Sequence, residues 1–123
     1  MLNEKYYEGF EGEPEVKIYT KENAGFRCWI GYLENLFSGC YNAQIAKDGL
    51  LHCYQTCEGF YEEETWRLPN ISIAIEELKL FDEKRADITS YDILQQTKFL
   101  KEDLLAFLDT ARVKNSQIYV EYD

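Results

Sequence analysis

Histidine, methionine and proline are nearly missing from this 123-residue chain, which holds one His, one Met and two Pro. A lone histidine, His52, leaves no multi-histidine metal site and argues strongly against His-based general acid–base catalysis. The phosphate-cradling patterns GxxxxGK[S/T] and GxGxxG do not occur, nor do a GxSxG elbow, an HExxH helix or an EF-hand loop. Cations are the minority, 13 Lys and Arg against 23 Asp and Glu, for a net charge of −10. Phosphate binding draws most of its affinity from Lys and Arg, so neither nucleic acid nor an anionic membrane surface is an expected partner. No apolar run approaches the roughly 18 residues of a membrane span. The opening Met1-Leu2-Asn3-Glu4-Lys5-Tyr6-Tyr7 puts no apolar run behind a basic start, so the expected location is cytoplasmic. Repeats, low-complexity tracts and dividing linkers are absent, and residues 1–123 read as a single domain.

Aromatics are abundant, at 15% of the chain, and their burial implies a packed core. Four cysteines, Cys28, Cys40, Cys53 and Cys57, are expected to be reduced thiols in the absence of an export signal. Cys53 and Cys57 flank a CxxxC spacing beside His52, but Cys28 and Cys40 stand alone. A structural zinc site needs two close ligand pairs, so the cysteines read instead as small buried hydrophobes, with no metal expected. In a regular strand, His52 would point away from both Cys53 and Cys57, which argues against a Cys–His nucleophile.

Val16 to Thr20 alternates as a half-buried strand does. Asn23 to Gly39 fits two templates. Phe26, Cys28, Ile30 and Tyr32 would line a strand, whereas Phe26, Trp29, Ile30, Leu33, Leu36 and Phe37 fall on one helical stripe. The helix explains the longer stretch and is preferred, with Asn23 as its cap, Gly39 as its stop, and Arg27, Glu34 and Asn35 off the stripe. Tyr41–Ala46 and Leu50–Thr56 read as a hairpin about Asp48-Gly49, because Gly accepts positive φ at little cost. Thr65–Leu68 reads as a short strand. Asn70 should cap a helix from about Ile71 to Lys84, with Ile71, Ala74, Ile75 and Leu78 inward and Glu76, Glu77 and Lys79 outward. A longer helix carries Ile93, Thr97, Leu100, Leu104, Phe107, Leu108 and Ala111 on one stripe. Thr89 or Ser90 should cap its start, Thr89 and Asp92 hold capping-box spacing, and Asn115 should stop it. Gln117–Tyr122 reads as a final strand. The expected fold class is α+β: a small, mostly antiparallel sheet with two to three helices packed on one face.

The least ordinary stretch is Glu58–Trp66, which places three aromatics and four carboxylates in nine residues. Interface hot spots favour aromatic anchors, and carboxylates meet a partner's Arg and Lys. Phe60, Tyr61, Glu62, Glu63, Glu64 and Trp66 are therefore the candidate partner-binding residues. The plain alternative is a solvated turn whose aromatics fold onto the core. The acidic surplus suits a basic protein partner, whose approach it would accelerate, although it also serves solubility alone.

In size, acidity, aromatic richness and lack of catalytic motifs, the chain resembles the small immunity proteins of bacterial contact-dependent inhibition and other polymorphic toxin systems. Gly39-Cys40-Tyr41-Asn42-Ala43-Gln44-Ile45 and Thr56-Cys57-Glu58-Gly59-Phe60-Tyr61-Glu62-Glu63 have the flavour of those families. The resemblance is one of overall character, and no site residue is carried over with it. It implies a cytoplasmic protein that binds and neutralises a cognate, basic, nuclease-type toxin domain, with no enzymatic activity and no cofactor. Two other classes stay open: an acidic adaptor or regulatory subunit, and a small enzyme using carboxylates or a thiol.

Overall fold

The computed structural model describes residues 2–22, 24–40, 49–52 and 65–122, apart from the side chains of Trp66 and Tyr122. Strand β1, Glu15–Tyr19, buries Val16 and Ile18 completely and leaves Lys17 and Tyr19 half-buried. Strand β2, Gly25–Trp29, runs antiparallel to it, with Cys28 opposite Val16 and Phe26 opposite Ile18. Two further strands complete the sheet, β3 at Trp66–Arg67 and β4 at Tyr119–Tyr122. The order is β2-β1-β4-β3 and every pairing is antiparallel. One face carries Val16, Ile18, Phe26, Cys28 and Val120 into the core. The other carries Lys17, Arg27, Glu121 and the neighbouring rings of Tyr19 and Tyr119.

The helices cover the apolar face. They are α1, Ile30–Gly39, α2, Ile71–Lys79, and α3, Tyr91–Val113, with a 3₁₀ turn at Glu83–Arg85. Helix α3 packs against α1 and α2, and its fully buried Leu100, Leu104 and Leu108 form the middle of the core. Phe107 meets Phe26 edge-on at 5.6 Å and ties α3 to the sheet. The α+β architecture read from the sequence is thus found. None of the described helices is long and apolar enough to cross a membrane.

Several caps behave as their residues dictate. The Asn70 side chain accepts from the Ile73 N–H and opens α2. Asn115 takes φ 58° after α3, with Ser116 N donating to Ala111 O at 2.8 Å and Asn115 N to Arg112 O at 3.1 Å. Those two bonds are the Schellman closure expected of an αL residue after a helix.

Other expectations fail for identifiable reasons. The helix from Asn23 is instead a strand up to Trp29 and a helix only from Ile30, with Trp29 as N-cap. Phe26 and Cys28 satisfy both periodicities, and the ladder to β1 decides for strand. The N-terminal segment before β1, an irregular lead-in rich in Glu, Gly and Tyr and described over residues 2–14, then covers the free edge of β2. Asn3 N donates to Gly25 O, Arg27 N to Asn3 O and Trp29 N to Tyr6 O, all within 3.0 Å. Asn35, expected off the stripe, is buried: its side chain bonds both Ile88 N and O and the Thr97 hydroxyl. The helix expected to reach Lys84 stops at Lys79, and Asp82 caps the separate 3₁₀ turn. The Thr89–Asp92 capping box does not form; of the two expected caps Ser90 takes the N-cap position of α3, without a side-chain cap bond. The expected returning hairpin strand is contradicted where it is described, because residues 50–52 are helical. The rest of that hairpin lies outside the described residues. The helical turn is favoured by a distant carboxylate, that of Glu77, which was expected to face solvent and is buried instead.

Candidate functional site

Of the six residues singled out for partner binding, Phe60, Tyr61, Glu62, Glu63 and Glu64 lie outside the described residues. Trp66 is a β3 residue, paired across the ladder with Val120. Beside it, the Thr65 hydroxyl bonds the Glu121 carboxylate at 2.8 Å. The stretch therefore leads, in sequence, straight into the last strand in the order of the described sheet.

A second acidic and aromatic surface is formed by residues that sequence reasoning passed over. Successive turns in the lead-in, Phe10 N to Tyr7 O and Glu13 N to Phe10 O, bring Phe10 back onto the start of α1. Its ring stacks on Trp29 with centroids 4.3 Å apart, and Tyr32 stands edge-on to both. An open concavity of about 450 Å³ lies against this knot, lined by Phe10, Tyr32, Tyr91, Asp92 and Ile93. Tyr91, at the first turn of α3, is 76% exposed. Glu8, Glu11 and Glu13 flank Phe10 in the chain, are exposed, and form no ion pair with any described residue. The lead-in had the same Glu, Tyr and Gly composition as the Glu58–Trp66 stretch, and that was the available signal.

Arg27 and Tyr6 hold this lead-in to the body. Arg27 forks onto the buried Glu15 carboxylate, reaches Glu4 at 2.7 Å, and lies over the Tyr7 ring. These carboxylates raise the guanidinium's pKa further above its usual value. Tyr6 is wholly buried and donates its hydroxyl to Asp103, which also pairs with Lys5 at 3.1 Å. Burial and then the Asp103 bond push the phenol up, while the Tyr6 bond draws the Asp103 carboxyl down.

Among the described thiols, Cys28 and Cys40 are free and buried. Burial pushes each up to about 12, helped by Glu15 at Cys28 and by Glu77 at Cys40. An activated nucleophile needs the opposite shift. No group of three or more His, Cys, Asp or Glu among the described residues could hold a metal ion. A concavity of about 430 Å³ carries Arg67, Asn70, Ser72 and Arg112, but Arg112 is already paired with Asp109.

A smaller cavity, about 170 Å³, lies between the β1–β2 turn and the end of α3. Thr20 lines it and is 4% exposed, and its hydroxyl has no partner among the described residues. An unpaired buried hydroxyl costs stability, so Thr20→Val should raise unfolding free energy by about 1 kcal/mol. Urea denaturation would register this as a higher midpoint at constant slope. An unchanged or lower midpoint would mean that the hydroxyl is satisfied in solution.

No family model, curated protein or solved structure gives a significant match to this chain.

Proposed function

We propose that this chain binds a basic protein, and that it does so as an immunity protein, neutralising a nuclease-type toxin domain in the cytoplasm. The observation that carries the reading is the Phe10–Tyr32–Tyr91 concavity with Asp92 in its wall, and, flanking Phe10 in the chain, three exposed glutamates that form no ion pair with a described residue. Aromatic anchors supply desolvated contact area, and the carboxylates select Lys and Arg. A nuclease presents such cations because it must hold phosphates, so an acidic surface could occupy its substrate site or sit beside it. The −10 charge would steer association and make it salt-sensitive. Phe60–Glu64, with Trp66, extend the proposal to a second patch of the same chemistry. An adaptor for a non-toxic basic protein is the alternative reading. A toxin-bearing reading frame beside the gene would separate the two.

The test is co-expression with that neighbouring toxin, then binding kinetics at low and moderate salt. Tyr91→Ala should cost about 2 kcal/mol, mainly as faster dissociation, if the ring is an anchor. Glu8→Lys/Glu11→Lys/Glu13→Lys should slow association about tenfold or more and flatten its salt dependence. Glu62→Lys/Glu63→Lys/Glu64→Lys reports on the second patch. Should all three variants fold and protect like the parent, both surface assignments are wrong. Should no toxin neighbour exist and no basic partner bind, the immunity reading gives way to the adaptor.

A further inference from the structure

We propose that the cavity under the β1–β2 turn binds a small apolar amino acid in its zwitterionic form. The inference does not depend on the protein-partner reading. The cavity's apolar lining comes from Phe107 and Ala111, with the exposed Ala24 at its mouth. Phe107 is fixed there by its edge-on contact with Phe26 of the sheet. At about 170 Å³ the space is close to the ~150 Å³ that accepts a benzene ring, so it suits a side chain the size of Leu or Phe.

The polar groups complement the rest of such a molecule. Thr20 lines the cavity, its backbone N–H is spent on Ala24 O at 2.9 Å, and its hydroxyl is buried with no partner among the described residues. Glu22 and Lys114, both exposed, line this cavity and also the open concavity next to it, of about 280 Å³. They are not paired with each other or with any other described residue. Lys114 would take the ligand's carboxylate. Glu22 would take its ammonium. The Schellman closure at Asn115 and Ser116 fixes the path of the chain where it leaves α3 beside this wall.

The experiment is a titration of the full chain, followed by amide NMR, with L-leucine and L-phenylalanine. Phenylacetate lacks the ammonium, phenethylamine lacks the carboxylate, and benzene lacks both; these are the comparison probes. The expected result is saturable binding of at least one amino acid, with shifts at Thr20, Ala24, Ala111 and Ser116. Each truncated probe should bind about tenfold or more weakly, as should the amino acid to Lys114→Met or Glu22→Gln, since each loses a charged hydrogen bond. Ala111→Leu should abolish binding by filling the space. Lys114 and Glu22 are exposed, so their variants keep the test valid even if Ala111→Leu does not fold. Three outcomes would each overturn the proposal: no saturable response to either amino acid, benzene binding as tightly as they do, or binding indifferent to both charge variants.

Discussion

Gly25→Ala is expected to destabilise the protein by about 3 kcal/mol or more, lowering the thermal midpoint by on the order of 10 °C. Gly25 opens β2 with φ +140°, a conformation that side chains rarely adopt. A Cβ there would stand 2.0 Å from Ile18 O and 2.7 Å from Tyr19 Cα. Both are backbone atoms of the paired strand, so no rotamer change relieves the contact. The same residue's carbonyl accepts from Asn3 N, and displacement would also loosen the lead-in that carries Phe10. Urea unfolding of the variant should show the loss at an unchanged slope. A loss below about 1 kcal/mol would show that the turn can re-route.

The second large effect belongs to Glu77. Its Oε1 accepts from Leu50 N at 2.8 Å and, at the limit of bonding, from Leu51 N at 3.5 Å. A Cβ on Gly49 would come within 2.2 Å of that carboxylate oxygen, so glycine is what lets the chain approach it. Glu77→Leu removes the acceptor and leaves buried N–H groups unpaired, at a net cost of about 3 kcal/mol. Glu77→Gln keeps an acceptor and separates the charge from the bond. Burial raises the Glu77 carboxyl above its ordinary value of 4.5, and the two backbone donors only partly oppose this. The folded state therefore holds the proton more tightly than the unfolded chain does. The stability gained is complete below the ordinary carboxylate value and is lost as pH rises through the folded-state value. Glu34 is raised in the same direction by burial and Asp87, so the parent's full profile contains both groups. The difference between the parent and Glu77→Gln isolates one of them. The parent's stability relative to that variant should fall as pH rises from 4.5 toward neutrality. A pH-independent difference would show that Glu77 does not titrate within that range.

Much of the helical framework was legible because it is local. Asn70 before Ile71, and the spacing of Ala74, Ile75 and Leu78, specify a capped amphipathic helix without reference to anything else. The stripe from Thr97 to Ala111 and the αL stop at Asn115 are equally self-contained. The candidate site was less legible. Tyr91 reads as an ordinary first-turn residue and Phe10 as part of an irregular lead-in. Only the fold brings them together across Tyr32, through turns that depend on Tyr6 being buried against α3.

The sequence by itself determined the α+β class, the stripes of the two later helices, the stop at Asn115 and the acidic balance, because each depends on composition or on neighbours within about two helical turns. Only the tertiary structure decided whether Phe26 and Cys28 belong to a strand or a helix, since their spacing suits both and β1 supplies the hydrogen-bond partners. It likewise decided that Glu77 and Asn35 turn inward. Their partners at Leu50, Ile88 and Thr97 lie 27, 53 and 62 residues away, beyond the reach of any local periodicity. A buried polar side chain is specified by the group it bonds, and here that group comes from another element.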